Sequence, residues 1–467
     1  MGSGPGSPDP AVVAAFRSAL MHQGLTALLV LAALAICWAT LREWRPDLAR
    51  RAHLARLARQ GPSGEVEVPA ARRLIRLGFG LLWTLDGLLQ AQPALVAGTG
   101  SKIIAPAAAT SPGWVRHLAG WAAAAWSGHP VQANAAAVWI QVGIGIWMLA
   151  AAHGRWSRLA GLAGAAWGLA IWVFGEAFGG ILAPGQTVLS GAPGAALFYC
   201  AAGALLALPD RSWRSAVLGR RLLAGMGTFL VAMAVLQAWP GRGFWQGTAH
   251  GKRGTLTAMV AEMSGTPQPQ ALARLVGGFA SLTAGHGFGV NALAVAALAG
   301  IGIGLASRRR ALLLPVTVAA AVLCLADWVL VQDLGFLGGL GTDPNSMIPL
   351  LLLIACGYLA VTRTGSPEPA GSAVAAAELP SERAAAGQPA AAPPWRDRLA
   401  PERLAAGFAS VSAQGILAAW ASALVLLGAA SMALAQVSAP SSAVQAGQSA
   451  RAAWAAAHPP AHGRAPY

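Results

Sequence analysis

The amino-acid sequence predicts an all-α protein, a polytopic membrane helix bundle of about ten transmembrane helices that contains two parallel four-helix repeats. Three observations carry this reading. The chain of 467 residues is 56% hydrophobic and 10% charged, with a mean hydropathy of +0.55, where a soluble domain carries about 25% charged residues. Its apolar runs alternate regularly with short loops that hold arginine. Polar landmarks then return at a fixed step: 157 residues separate Pro112 from Pro269, His129 from His286, Asn134 from Asn291, and Glu176 from Asp333.

The net charge of +15 does not indicate nucleic-acid binding. The arginines lie in loops between apolar segments, as membrane topology demands, and no basic face with interleaved aromatics is present. Lys102 and Lys252 are the two lysines. Arginine otherwise carries the positive charge and alanine dominates, a composition of high-GC bacterial genomes. Cys37, Cys200, Cys324 and Cys356 lie inside apolar runs without ligand spacing, which reads as small apolar filler in helix packing.

In chain order, residues 1–16 are small, with many Pro and Gly, and are expected to form a disordered tail. The first span covers 25–40, and the arginines Arg42, Arg45, Arg50, Arg51, Arg56 and Arg59 follow it. Positive charge after the apolar run is the reverse of a cleavable signal. It holds this end in the cytoplasm and leaves the N-terminus outside. Residues 1–73 thus form a tail, one span and a basic connector.

The first repeat, 74–210, has spans at 74–92, 135–152, 159–182 and 194–208. The second, 211–363, has spans at 222–239, 290–306, 311–331 and 350–361. Four spans per copy is an even number, so the copies share one orientation and are related by a pseudo-twofold along the membrane normal. Residues 364–400, rich in Ala, Pro, Ser and Glu, read as a disordered cytoplasmic linker. Residues 401–437 hold the last span, and 438–467 form an outer tail. The protein is accordingly placed in the bacterial plasma membrane, multi-pass, with both termini extracytoplasmic.

Charged and polar groups at membrane depth mark functional sites by default. In the first copy Asp86, His129, Asn134 and Glu176 all fall near the outer helix ends and are expected to converge on one outward-facing pocket. In the second, His286, Asn291, Asp327 and Asp333 do the same, with Met233 replacing Asp86. Proton or metal-ion handling suits a His/carboxylate set, and a quinone or other lipid-like ligand suits the apolar surroundings. The bland alternative is that the His and Asn residues cap and join helices while the acids are solvated near the headgroups. The copies differ at Asp86 and Asp327, so their sites are not equivalent.

Weaker signals complete the sequence. Gly338-Gly339-Leu340-Gly341 is glycine-rich without a preceding strand and is not a phosphate loop. Thr342-Asp343-Pro344-Asn345-Ser346 reads as an Asp-Pro turn with a helix cap at Asn345 or Ser346, or as a re-entrant lid over the Asp333 pocket. Trp114, Arg116, His117, Trp121 and Trp126 predict an amphipathic helix on the outer surface, and several of the eighteen tryptophans fit interfacial belts. His458 and His462 are too few for a metal site.

The stretches RLIRLGFGLLWTLDGLLQ at 73–90 and QVGIGIWMLAAAHGRWSRLAGL at 141–162 carry a family resemblance. Each four-span unit resembles the DoxX-like family of small four-helix membrane proteins, which includes the DoxD-type subunit of thiosulfate:quinone oxidoreductase. Arg158 matches the family's basic position. Gln141 stands where the family has a glutamate, and Leu298 stands there in the second copy. The resemblance implies a redox-associated or quinone-interacting membrane subunit. The residues alone leave open a transporter for protons, metal ions or a small solute, and a non-catalytic scaffold. Whether the chain is an enzyme stays undecided. The expected partners are the lipid bilayer and a membrane or extracytoplasmic protein.

Overall fold

The computed structural model describes residues 9–44, 68–249, 251–265, 268–336, 341–362, 422 and 425. The linker at 364–400, the last span apart from Ser422 and Val425, and the outer tail lie outside the described residues. The protein is all-α: among the described residues the only sheet is the hairpin β1 (Thr248–Ala249) and β2 (Lys252–Arg253).

The helices are α1 (Pro10–Trp44), α2 (Ala70–Gln90), α3 (Pro93–Gly98), α4 (Gly113–Gly128), α5 (Pro130–Ala150) and α6 (Gly154–Ala170). They continue as α7 (Ala195–Ala207), α8 (Ala216–Ala238), α9 (Thr255–Ser264), α10 (Gln270–Ala306), α11 (Arg310–Leu330) and α12 (Met347–Thr362). Six stretches are long and apolar enough to cross a membrane: Pro10–Val30, Pro130–Ala150, Gly154–Gly175, Ala216–Ala238, Gln270–Ala306 and Arg310–Leu330. Their outer faces carry exposed Leu25, Leu28, Leu293, Ile303, Val318 and Val322, the inverse of a water-facing helix. Helix α2 has the length to span but holds Arg72, Arg73, Arg76 and Asp86. Helices α7 and α12 are apolar and shorter.

The expected disordered tail is corrected over residues 10–16, where α1 is already helical. Pro10 sits at the first helical position, where its missing N–H costs nothing. Phe16 is buried against Val96, Ala135 and Val138. Further along, Trp139 Nε1 donates to the Leu20 carbonyl at 3.1 Å, so α1 lies along α5. The segment between α2 and α5 is mostly helical, and α4 is the helix expected from the tryptophan pattern.

Packing runs α2 on α5, α6 on α7, α8 on α10 and α11 on α12, with α12 also set against α2 and α8. One apolar core joins them, from Phe79, Trp83 and Met148 through Tyr199 and Leu230 to Leu353. At the N-terminal end of α2, buried Arg72 pairs with Asp210 and donates to Ser157 Oγ at 3.2 Å.

Several local geometries occur twice. Pro112 and Pro269 each sit at the N-cap of their helix. The backbone leaves helical geometry at His129 (φ −139°, ψ 62°) and again at His286 (φ −128°, ψ 34°). Asn134 and Asn291 are both fully buried. Asn134 accepts from Gln90 Nε2 across the α2–α5 crossing, and Asn291 accepts from Gln237 Nε2 at 2.7 Å across the α8–α10 crossing. The same crossings are glycine-tight. A Cβ on Gly145 would stand 2.7 Å from the Gly80 carbonyl oxygen, and one on Gly302 2.7 Å from that of Gly227. Small residues are what let membrane helices approach this closely.

The acids recur differently. Ala177, Phe178 and Gly179 have positive φ, and so do Asp333, Leu334 and Gly335, 156 residues on. The Glu176 N–H reaches the Ile171 carbonyl and the Gln332 N–H that of Asp327, both five residues back. Glu176 therefore matches Gln332, Ala177 matches Asp333, and Ile171 matches Asp327. The 157-residue match of Glu176 with Asp333 is corrected by one residue at this helix end.

Candidate functional site

A cavity of about 480 Å³ lies among α2, α4, α6 and α7, within the roughly 300–1,000 Å³ range of small-ligand pockets. Its walls are largely apolar, with Trp83, Trp121, Trp126, Trp167, Ile103, Ile104 and Phe174. Its polar lining is Asp86, Gln90, Thr99, Gln141, Glu176, Tyr199, Thr342 and Asp343.

Each polar group is placed by a local feature. Asp86 and Gln90 are one helical turn apart near the end of α2, so both face the same side. Gln90 turns back to Asn134, as does the Thr99 hydroxyl at 3.2 Å. Thr99 opens the π-helical turn Thr99–Ile104, a form frequent at functional sites. Tyr199 lies beside Asp86, close enough for their side chains to interact.

Glu176 is aimed by the reversal after the π-helical turn Ile171–Gly175. Its Oε1 accepts from the Ala196 N–H at 3.2 Å, at the start of α7, where the helix dipole favours an anion. Gly194 permits this approach: its φ is +93°, and a Cβ there would stand 2.0 Å from Glu176 Oε2. Asp343 arrives from the loop before α12. Its Oδ1 accepts from the Asn345 N–H at 2.7 Å and its Oδ2 from the Thr342 hydroxyl at 3.0 Å.

Burial raises the Asp343 carboxyl, against the Asn345 N–H and the Thr342 hydroxyl.

The structure brings Asp86 and Glu176 to one cavity. Asn134 stands behind it, holding Gln90 and Thr99. His129 is at the break between α4 and α5 and does not line the cavity. The expected convergence of the histidine is therefore corrected: its place is set by the helix break. In the second half, His286 is exposed at the corresponding break, and Asn291 is engaged with Gln237. Asp327 is buried and accepts from Gln332 Nε2 at 3.0 Å. Asp333 is buried in the left-handed turn. The Gln332 amide occupies the space beside Asp327.

The turn at 342–346 leads directly into α12, with the Leu350 N–H returning to the Ser346 carbonyl. Thr342 and Asp343 line the first cavity, and the backbone of 343–345 packs against Gly335 of the left-handed turn. Gly338, Gly339 and Leu340 lie outside the described residues. Sequence reasoning missed the cavity roles of Tyr199, Gln90 and the four tryptophans. The available signal was Tyr199, one of three tyrosines in the chain, set inside an Ala/Leu helix. Among the described residues, no three His, Cys, Asp or Glu side chains are grouped to hold a metal ion. No protein-family model, curated protein or solved structure matches this chain.

Proposed function

We propose that the chain is a multi-pass bacterial plasma-membrane protein, built from a duplicated four-helix unit of DoxX-like type, that binds a small solute in its outward-facing cavity and acts as a permease. The observation that carries this reading is the 480 Å³ cavity, apolar in its walls and bearing carboxyl groups at the outer helix ends. The duplication is supported by the paired helix caps, helix breaks, buried Gln–Asn contacts and glycine crossings described above. The arginine-bearing loops support ten spans with both termini outside. The remaining four spans would be α2, whose arginines sit at its inner end, the shorter α7 and α12, and residues 401–437.

A second reading, a quinone-interacting redox subunit, is favoured by the resemblance and by hydrogen-bond donors on the cavity. Trp83 Nε1 and Trp167 Nε1 are buried there without a hydrogen-bond acceptor among the described residues, and quinone carbonyls accept hydrogen bonds.

The two readings separate in one preparation of the full chain in mild detergent. Permease function predicts a quinone-free protein whose tryptophan fluorescence responds to small solutes, with the response weakened about tenfold in Asp86→Asn. Stoichiometric quinone on solvent extraction, lost in Tyr199→Phe, supports the second reading against the first. A preparation without quinone and without response to any solute overturns both.

A further inference from the structure

The lining of the cavity is one-sided in charge. Asp86, Glu176 and Asp343 face it, and no Lys, Arg or His is among the residues that line it. Asp86 is 3% exposed and Gln141 6%. Gln141 Oε1 and Glu176 Oε2 are buried acceptors without a hydrogen-bond donor among the described residues, and Asp86 has the Tyr199 hydroxyl as its neighbour. A buried acceptor left unmatched costs about 1–3 kcal/mol, more if charged, so these oxygens point to a ligand that brings positive charge and donors.

The walls narrow the class further. A metal ion needs clustered ligands, and none are grouped here. Four indoles and a phenol around a carboxylate set instead match an organic cation. Such a cation is attracted to the face of an aromatic ring within about 6 Å by roughly 0.5–2 kcal/mol, while its apolar body fills the space beside Ile103, Ile104 and Phe174.

We propose that this cavity is the binding site of an organic ammonium ion, held by the carboxyls of Asp86 and Glu176 and enclosed by the tryptophan walls. The proposal rests on the ligand-binding reading above and names its substrate class. Asp343, brought in by the loop before α12, adds a third carboxyl to the lining. The donor on Trp83 then serves an oxygen substituent on the same ligand.

The test compares benzyltrimethylammonium with neopentylbenzene, its uncharged isostere, on the full chain in mild detergent by tryptophan quenching and by melting temperature. The cation is expected to bind about tenfold more tightly than the isostere. Asp86→Asn and Glu176→Gln are each expected to remove most of that preference while leaving isostere binding in place. Equal affinity for the two probes in the wild-type protein overturns the ammonium assignment and leaves the cavity a ligand site. Failure of both probes to bind overturns the assignment and the ligand-binding reading together. The wild-type comparison needs no variant, so a misfolded substitution cannot decide the outcome.

Discussion

Gly179→Ala is expected to destabilise the protein by about 3 kcal/mol or more, and Gly180→Ala by only about 1 kcal/mol. Both glycines have positive φ, +58° and +68°, so both variants bear the left-handed backbone cost. That cost alone is tolerable here, because Ala177 and Phe178 already adopt φ of 50° and 62°. The difference lies in what a side chain would meet. A Cβ on Gly179 would stand 1.8 Å from the Pro193 carbonyl oxygen, a backbone atom that cannot swing aside, while one on Gly180 would meet Gln186 Cγ at 3.5 Å. The Pro193 carbonyl is also the acceptor for Trp172 Nε1 at 2.7 Å, so displacing it breaks a second contact. Melting curves of the purified variants check this. A Gly179→Ala protein as stable as Gly180→Ala would mean that the reversal after Glu176 is looser than described.

Gln332→Ala is expected to cost about 2–3 kcal/mol, whereas Asp327→Asn should cost less than about 1 kcal/mol. The Gln332 amide is shared among Asp327 Oδ2 at 3.0 Å, Ser346 Oγ at 3.2 Å and the Val188 carbonyl at 3.4 Å. Truncating it strands a buried carboxyl in the core and unties the Val188 loop. Asp327→Asn keeps an oxygen for the amide to donate to. A double-mutant cycle in detergent measures the coupling, and additive costs would show that the two side chains do not depend on each other.

Much of the fold was legible because apolar runs and arginine loops are long-range averages that local detail does not disturb. The helices α5, α6, α8 and α11 fall where the apolar runs place them. Helix α1 was misjudged over its first residues because a small, Pro-bearing segment looks disordered in isolation, and Phe16 becomes buried only through α5. The histidines misled for a related reason. A polar residue repeated at one step reads as a ligand, yet both mark positions where the helical backbone is interrupted.

The acid was displaced by a single residue. A step of 157 lands on an acid, but the sequence also offered Trp172-Val173 and Trp328-Val329 at 156, which is the register the backbone keeps. Two members of the candidate set, Asp86 and Glu176, were found from membrane depth alone. Asp343 was visible only as a turn residue, since nothing local tells a loop that its carboxyl will meet a cavity made by distant helices.

That meeting has a consequence for how the chain tolerates change. Every lining residue of the cavity precedes residue 200 except Thr342 and Asp343. The wall they complete is hung on the end of a long tether running through α8, α10 and α11. A residue inserted or deleted along that tether, far from any ligand, shifts where the carboxyl lands. The cavity is thus most sensitive to length where it is least sensitive to composition.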